Sequence, residues 1–84
     1  MSVLIDIREN FEYKNGHIPN SLNINKDLLE LVPEKYLNKN NEYILYCDYG
    51  ITSKQLSNKL NEKGYRTKSL KGGYDYFIKN NTNL

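Results

Sequence analysis

Seven consecutive residues, Cys47-Asp48-Tyr49-Gly50-Ile51-Thr52-Ser53, hold the densest chemistry in this chain. A single cysteine cannot close an internal disulfide, and with a single histidine beside it there is no Cys/His set for zinc. Cys47 is therefore either inert packing or a reactive thiol. Free cysteine is among the most buried residue types, so a cysteine ending an apolar strand is commonly a small core residue. Two features favour reactivity. The chain turns polar and glycine-bearing directly after Cys47, and the next helix opens with Thr52-Ser53-Lys54-Gln55, a capping-box pattern. Such a connection can curl until successive backbone N–H groups point inward, forming an anion nest at the positive end of a helix dipole. Gly50 eases the curl because glycine reaches positive φ freely. A thiol over that ring has its thiolate stabilised and serves as a nucleophile at neutral pH.

The elements around the loop place it at the rim of a sheet. Val3 to Ile7 is a short apolar run suited to a buried strand, followed by a helical turn with Asn10 as its cap, Phe11 and Tyr13 as its buried side, and Gly16 as its left-handed end. Pro19 holds Ile18 extended, and Leu22-Asn23-Ile24 reads as a second strand. Leu28, Leu31 and Val32 form an apolar stripe on a helix that Pro33 interrupts. Tyr43 to Tyr46 is the most strand-like run; Leu56 and Leu60 line the helix after the loop, which Gly64 closes. Thr67 to Leu70 is a further strand, Gly72-Gly73 a turn, and Tyr74, Phe77 and Ile78 the apolar face of a last helix. Strands alternating with helices imply right-handed crossovers, hence an α/β domain: a small, mostly parallel sheet flanked by helices. Ligands of such folds sit beyond the carboxyl ends of the strands, where Asp6 and Cys47 both stand.

Composition narrows the field further. Eighty-four residues make one small domain, read as residues 1–84, and 38% hydrophobic with 26% charged residues is ordinary for a globular chain. A net charge of +2 is too small to argue for nucleic acid or an anionic membrane surface. Apolar runs of only a few residues exclude a membrane span and a secretory segment, so the chain reads as cytoplasmic.

Two blocks of residues carry a family resemblance. Asp6-Ile7-Arg8-Glu9, then Gly16-His17-Ile18-Pro19-Asn20-Ser21-Leu22-Asn23-Ile24, resembles the D-x-R-E and G-H-I-P-x-(A/S)-x-N-I signature of rhodanese-like domains. A strand ending Tyr46-Cys47, a glycine-bearing loop, a helix ending Lys63-Gly64-Tyr65, then Leu70-Lys71-Gly72-Gly73-Tyr74, resembles the same family's active-site region. The match runs in order from residue 3 to about residue 77. The resemblance implies a sulfurtransferase without metal or cofactor. Cys47 would carry a persulfide taken from thiosulfate, a polysulfide or a protein persulfide, and pass it to a thiol or cyanide. Asp48, Tyr49, Gly50, Ile51, Thr52 and Ser53 would form the substrate cradle, with Asp6 and Arg8 supporting it by an ion pair or by hydrogen bonds to the loop.

Three departures qualify that expectation. Many active relatives carry a basic residue after the cysteine, and here it is Asp48, which repels a dianion unless it is paired with Arg8 or Lys54. Poor thiosulfate affinity and a preference for persulfide or polysulfide donors follow. The chain starts at the D-x-R strand, lacking the usual N-terminal extension, and the family's tryptophan after Gly-Gly is replaced in role by Phe77. His17 is read as a loop anchor, Tyr43, Tyr46, Tyr65, Tyr74 and Tyr76 as core and rim packing, Tyr49 as a pocket wall, and Lys68, Lys71 and Lys79 as a solvated face. Phosphate and arsenate chemistry on this fold requires a longer loop ending in arginine; Ser53 and Lys54 stand there instead. The competing reading is a non-enzymatic module for partner binding or sulfur sensing.

Overall fold

Side chains alternate across a strand, so the odd residues of the first and third strands share one face of the sheet. In the computed structural model, which describes residues 2–81, these strands are β1 (Ser2–Asp6) and β3 (Glu42–Tyr46). They pair in parallel, with Ile5 opposite Leu45. The two-residue β2 (Leu22–Asn23) joins the outer side of β1, and β4 (Arg66–Ser69) joins β3, giving a parallel sheet ordered β2-β1-β3-β4. Helices α1 (Asn10–Asn15), α2 (Lys26–Leu31), α3 (Ile51–Glu62) and α4 (Gly73–Asn81) make the connections and the ending, with a 3-10 turn at Pro33–Lys35.

Ile5, Ile7, Tyr43, Leu45 and Cys47 form the core with Leu29 of α2, Leu56 and Leu60 of α3, and Leu37 and Tyr65 from the connections. Truncating a member such as Leu45 to alanine leaves a cavity that costs about 2 to 5 kcal/mol. The opposite face is covered chiefly toward the carboxyl ends of the strands. There Asp6 and Tyr46 are buried, whereas Leu4 and Ile44 further down stay half-buried. Burial pushes the Tyr46 phenol up to about 12. Its oxygen accepts from the Ile18 N–H at 3.1 Å and pairs with Ser21 Oγ at 2.9 Å, tying the His17-Ile18-Pro19 segment to the sheet. His17 stacks on Tyr13 at 3.8 Å, with Nδ1 2.8 Å from the Tyr13 carbonyl, as a loop anchor should.

Several local expectations fail, each for a physical reason. Helix α1 is capped by Glu9 in a reciprocal box with Glu12, which frees Asn10 to bond Asn23. Gly16 is extended rather than left-handed, and its value is space: a Cβ there would lie 2.5 Å from the Tyr74 hydroxyl. Phe11 and Tyr76 are exposed. Helix α2 is a short element that buries Leu29, so the core stripe continues through Pro33 and Leu37 and leaves Leu28 and Leu31 outside. The Thr52-to-Gln55 box does not form, because Gly50 caps α3 and Ser53 is spent elsewhere. Strand β4 begins one residue earlier than expected and ends at Ser69.

The outer edge of β4 is blunted by a side chain. Asn61 of α3 accepts the Thr67 N–H at 2.9 Å and donates to the Thr67 carbonyl at 3.1 Å, imitating the rung of a neighbouring strand. It also accepts from Thr67 Oγ1 at 3.0 Å. Asn61→Ala should lower urea-unfolding stability by about 1 to 2 kcal/mol. A loss indistinguishable from zero would show that water satisfies this edge equally well.

Candidate active site

Cys47 follows the last residue of β3, where the strand leaves the sheet and the chain must reverse into α3. Gly50 makes the reversal at φ +94, and a Cβ at that position would lie 2.9 Å from the Gly72 nitrogen. The consequence is convergence on one sulfur. The N–H groups of Gly50 and Ser53 each donate to Cys47 Sγ at 3.3 Å, and the thiol in turn donates to Ser53 Oγ at 3.3 Å. Ile51 and Thr52, as first residues of α3, have no carbonyl one turn earlier within the helix to bond, so their amides also belong to its positive end.

The outward carbonyls of this loop are held from behind. Tyr74 N–H donates to the Cys47 carbonyl at 2.8 Å and Asp75 N–H to the Asp48 carbonyl at 3.0 Å, so the first turn of α4 satisfies its own orphan amides on the loop. This contact leaves no space for a side chain at Gly73, where a Cβ would sit 2.5 Å from the Cys47 oxygen.

Arg8 locks the other side. Its Nε lies 3.0 and 3.1 Å from the two Asp6 carboxylate oxygens, and its Nη2 reaches Asp6 at 2.7 Å and the Gly16 carbonyl at 2.7 Å. The guanidinium lies 4.3 Å from the Tyr74 ring centre, a cation–π contact. Burial works against its charge, but the hydrogen bonds and attraction of Asp6 outweigh that cost and hold Arg8 above its ordinary range. Arg8 Nη1 approaches Asp48 at 3.4 Å, the longest of its hydrogen bonds, and the Asp48 side chain remains 46% exposed. Asp48 is thus paired with a cation already committed to Asp6.

Cys47 is only 8% exposed, yet it borders a cleft of about 340 Å³. The ionisable lining of that cleft is two cations, Arg8 and Lys26, against four carboxylates, Glu9, Glu12, Asp27 and Asp48. The approach is acidic. Thr52 lines this cleft and also a smaller one, about 250 Å³, shared by Cys47, Asp48, Tyr49 and Ile51. Tyr49 and Ile51 stand exposed at the rim, 68% and 69% accessible.

Of the residues singled out from sequence, Cys47, Gly50 and Ser53 therefore meet at the sulfur, and Thr52, Asp48, Tyr49 and Ile51 surround its approach. Asp6 and Arg8 do not reach the sulfur; they brace the loop and α1. Sequence reasoning missed Ser69, whose hydroxyl lies 2.6 Å from Ser53 Oγ, and the acidic contribution of Glu9 and Glu12. Ser69 ends β4 at the carboxyl edge of the sheet, the place where α/β folds put ligands, and that was its available signal. Among the described residues no group of three or more His, Cys, Asp or Glu is placed to hold a metal, and no helix is long and apolar enough to cross a membrane.

The sequence profile of the rhodanese-like domain matches residues 1–80. The chain belongs to the rhodanese-like family. It is 36% identical over 72 residues to YtwF of Bacillus subtilis (strain 168), provisionally named a sulfurtransferase, covering 83% of this chain and 67% of that one. It is 32% identical over 74 residues to the thiosulfate sulfurtransferase GlpE of Coxiella burnetii (strain RSA 331 / Henzerling II), covering 87% and 68%. The crystal structure of a rhodanese-related protein from Thermoplasma volcanium superposes with a TM-score of 0.86 at 29% identity, covering 95% of this chain and 79% of that one. Relatives named sulfurtransferases support sulfur transfer in general for this rhodanese-like chain.

The Asp6–Arg8 pair is the buried part of this arrangement, so its two partners cannot be separated cheaply. Arg8→Met should reduce unfolding free energy by about 3 to 5 kcal/mol, because the Asp6 charge is left buried and alone. Arg8→Lys, which keeps the charge but not the fork, should fall between. Wild-type stability for Arg8→Met in urea titration would refute the bracing role.

Proposed function

We propose that the protein is a rhodanese-type sulfurtransferase working through a persulfide on Cys47. The observation that carries this reading is the convergence of the Gly50 and Ser53 N–H groups on Sγ, at 3.3 Å each, in a loop that also offers the Ser53 hydroxyl. Donors fixed around a sulfur at a helix N-terminus favour negative charge there, which is what a nucleophilic thiolate and a terminal persulfide both need.

In the first half-reaction the Cys47 thiolate attacks the outer sulfur of a donor R–S–S⁻. A bond forms between Sγ and that sulfur, the donor's S–S bond breaks, and its electron pair leaves on R–S⁻. The negative charge then rests on the terminal sulfur of Cys47–S–S⁻, with the first-turn amides of α3 close by. In the second half-reaction an acceptor thiolate takes the terminal sulfur as its own persulfide and returns Cys47 as thiolate. No metal or external oxidant enters the balance.

Substrate charge is where this chain departs from a thiosulfate enzyme. Thiosulfate is a dianion, whereas the approach to Cys47 is lined by four carboxylates against two cations, one of which, Arg8, also answers the buried charge of Asp6. Each uncompensated carboxylate near 4 Å costs a dianion about 2 kcal/mol even in a water-like dielectric. A persulfide group R–S–S⁻ carries one negative charge and meets less of that repulsion. The preferred donor is therefore a low-molecular-weight or protein persulfide.

Intact mass after incubation with a glutathione persulfide donor tests the chemistry. The chain should gain one sulfur atom, release it to added thiol, and gain nothing as Cys47→Ser. A mass unchanged with every sulfane donor would point instead to a partner-binding module.

Asp48→Lys should raise kcat/KM for thiosulfate by about tenfold or more, since it removes one repulsion and adds one attraction. The same substitution should change the rate with cysteine persulfide, a donor of lower net charge, much less. Equal effects on both donors, or faster wild-type turnover with thiosulfate than with persulfide, would overturn the assignment of donor class.

A further inference from the structure

A thiol at Cys47 and an anionic sulfur at Cys47 make opposite demands on the one proton of the Ser53 hydroxyl. While Cys47 is a thiol, its proton points to Ser53 Oγ at 3.3 Å, and Ser53 must donate elsewhere. Once the sulfur is anionic, Ser53 has to turn its proton toward it. A hydroxyl does so at low cost only if another donor then fills its lone pair, because Ser53 is fully buried and out of reach of bulk water.

Ser69 Oγ, at 2.6 Å, is placed to serve both states. It is half-buried at the end of β4, and its second neighbour is the Gly50 carbonyl at 3.4 Å. With a neutral thiol the protons run from Cys47 to Ser53 to Ser69 to the Gly50 oxygen. With an anionic sulfur the order reverses, from Ser69 to Ser53 to Cys47. What the reversal gives up is the long contact to Gly50, whose residue borders a cleft of about 370 Å³ together with Ser69. The short Ser53–Ser69 bond survives in both directions.

We propose that Ser69 is a positioning residue for the Cys47 sulfur, acting through Ser53 by holding its hydroxyl toward the sulfur whenever that sulfur bears negative charge. The proposal rests on the sulfur-transfer reading only for its biological use; the geometry concerns any anionic state of Cys47. Ser69 touches neither the sulfur nor the acidic cleft.

A double-mutant cycle on the second-order rate of Cys47 alkylation by iodoacetamide at neutral pH tests it. Ser69→Ala should slow alkylation about fivefold, the scale of one hydrogen bond. Ser69→Thr, which restores a hydroxyl, should bring the rate back to within about twofold of wild type. In a Ser53→Ala background, Ser69→Ala should add nothing further, because its route to the sulfur is gone.

Ser57→Ala is the control for simple loosening of the fold. Ser57 and Thr67 form another buried hydroxyl pair between α3 and β4, 2.7 Å apart and away from Cys47. Its loss should lower stability without slowing alkylation. Wild-type alkylation in Ser69→Ala, an undiminished effect in the Ser53→Ala background, or an equal slowing in Ser57→Ala would overturn the proposal. Alkylation needs no sulfur donor, so coupling of Ser69 to Ser53 in a protein that never gains persulfide mass would leave the positioning role standing and sink sulfur transfer alone.

Discussion

A peptide loop can turn its N–H groups inward only if its carbonyls find donors outside, since neither half of a buried peptide is cheap to leave unpaired. Here that constraint is met by the N-terminus of α4. Tyr74 and Asp75 give their amides to the carbonyls of Cys47 and Asp48, and the loop's own Gly50 and Ser53 amides are left to face the sulfur. The orphan donors of one helix thus position the orphan donors of another. Gly73 is the residue that lets the two backbones meet, because any side chain there would overlap the Cys47 oxygen.

Arg8 extends the same logic to the rest of the rim. Its fork closes on Asp6 at the end of β1, Nη2 of that fork also reaches the Gly16 carbonyl, Nη1 reaches Asp48, and its flat face rests near Tyr74. Two neighbouring segments and two distant ones, the Cys47 loop and the start of α4, are thereby held to one planar cation. A buried ion pair of this kind is weak evidence for net stability, but removing either partner leaves an uncompensated buried charge. Its cost to function is electrostatic: with Arg8 spent on Asp6, the loop carries the charge of Asp48 with little compensation, and the approach to Cys47 stays acidic. The same structure therefore favours an anion at the sulfur, through aimed main-chain dipoles, and disfavours a highly charged one arriving from solvent.

Much of this was legible in the sequence. The α/β class, the parallel sheet and the strand-to-loop placement of Cys47 followed from β-branched runs alternating with helical stretches, and Gly50 from the need for positive φ. The D-x-R-E and G-H-I-P segments marked the bracing residues, and His17 proved to be the loop anchor its context implied. The failures were local. Glu9 rather than Asn10 caps α1, and its backbone N–H donates to the Glu12 carboxylate. Thr52 and Ser53 resembled caps, but in α3 the glycine before them sets the helix start and the Ser53 amide turns to sulfur. Leu28 and Leu31 matched a helical stripe, yet a six-residue helix has one buried position to offer, and Leu29 occupies it. For Ser69 the sequence offers only its place at the end of a strand; the 2.6 Å contact that gives it significance runs across a strand and a helix, which no spacing along the chain encodes.

If main-chain amides of the loop carry the charge on the Cys47 sulfur, those amides must report its change of state. In a ¹⁵N-labelled sample, the amide resonances of Gly50, Ile51, Thr52 and Ser53 should move when a persulfide donor is added and return when thiol removes the sulfur. Amides of β1 should stay in place, and Cys47→Ser should show no change. Persulfide formation at Cys47 that left the Gly50 and Ser53 resonances where they were would contradict the account.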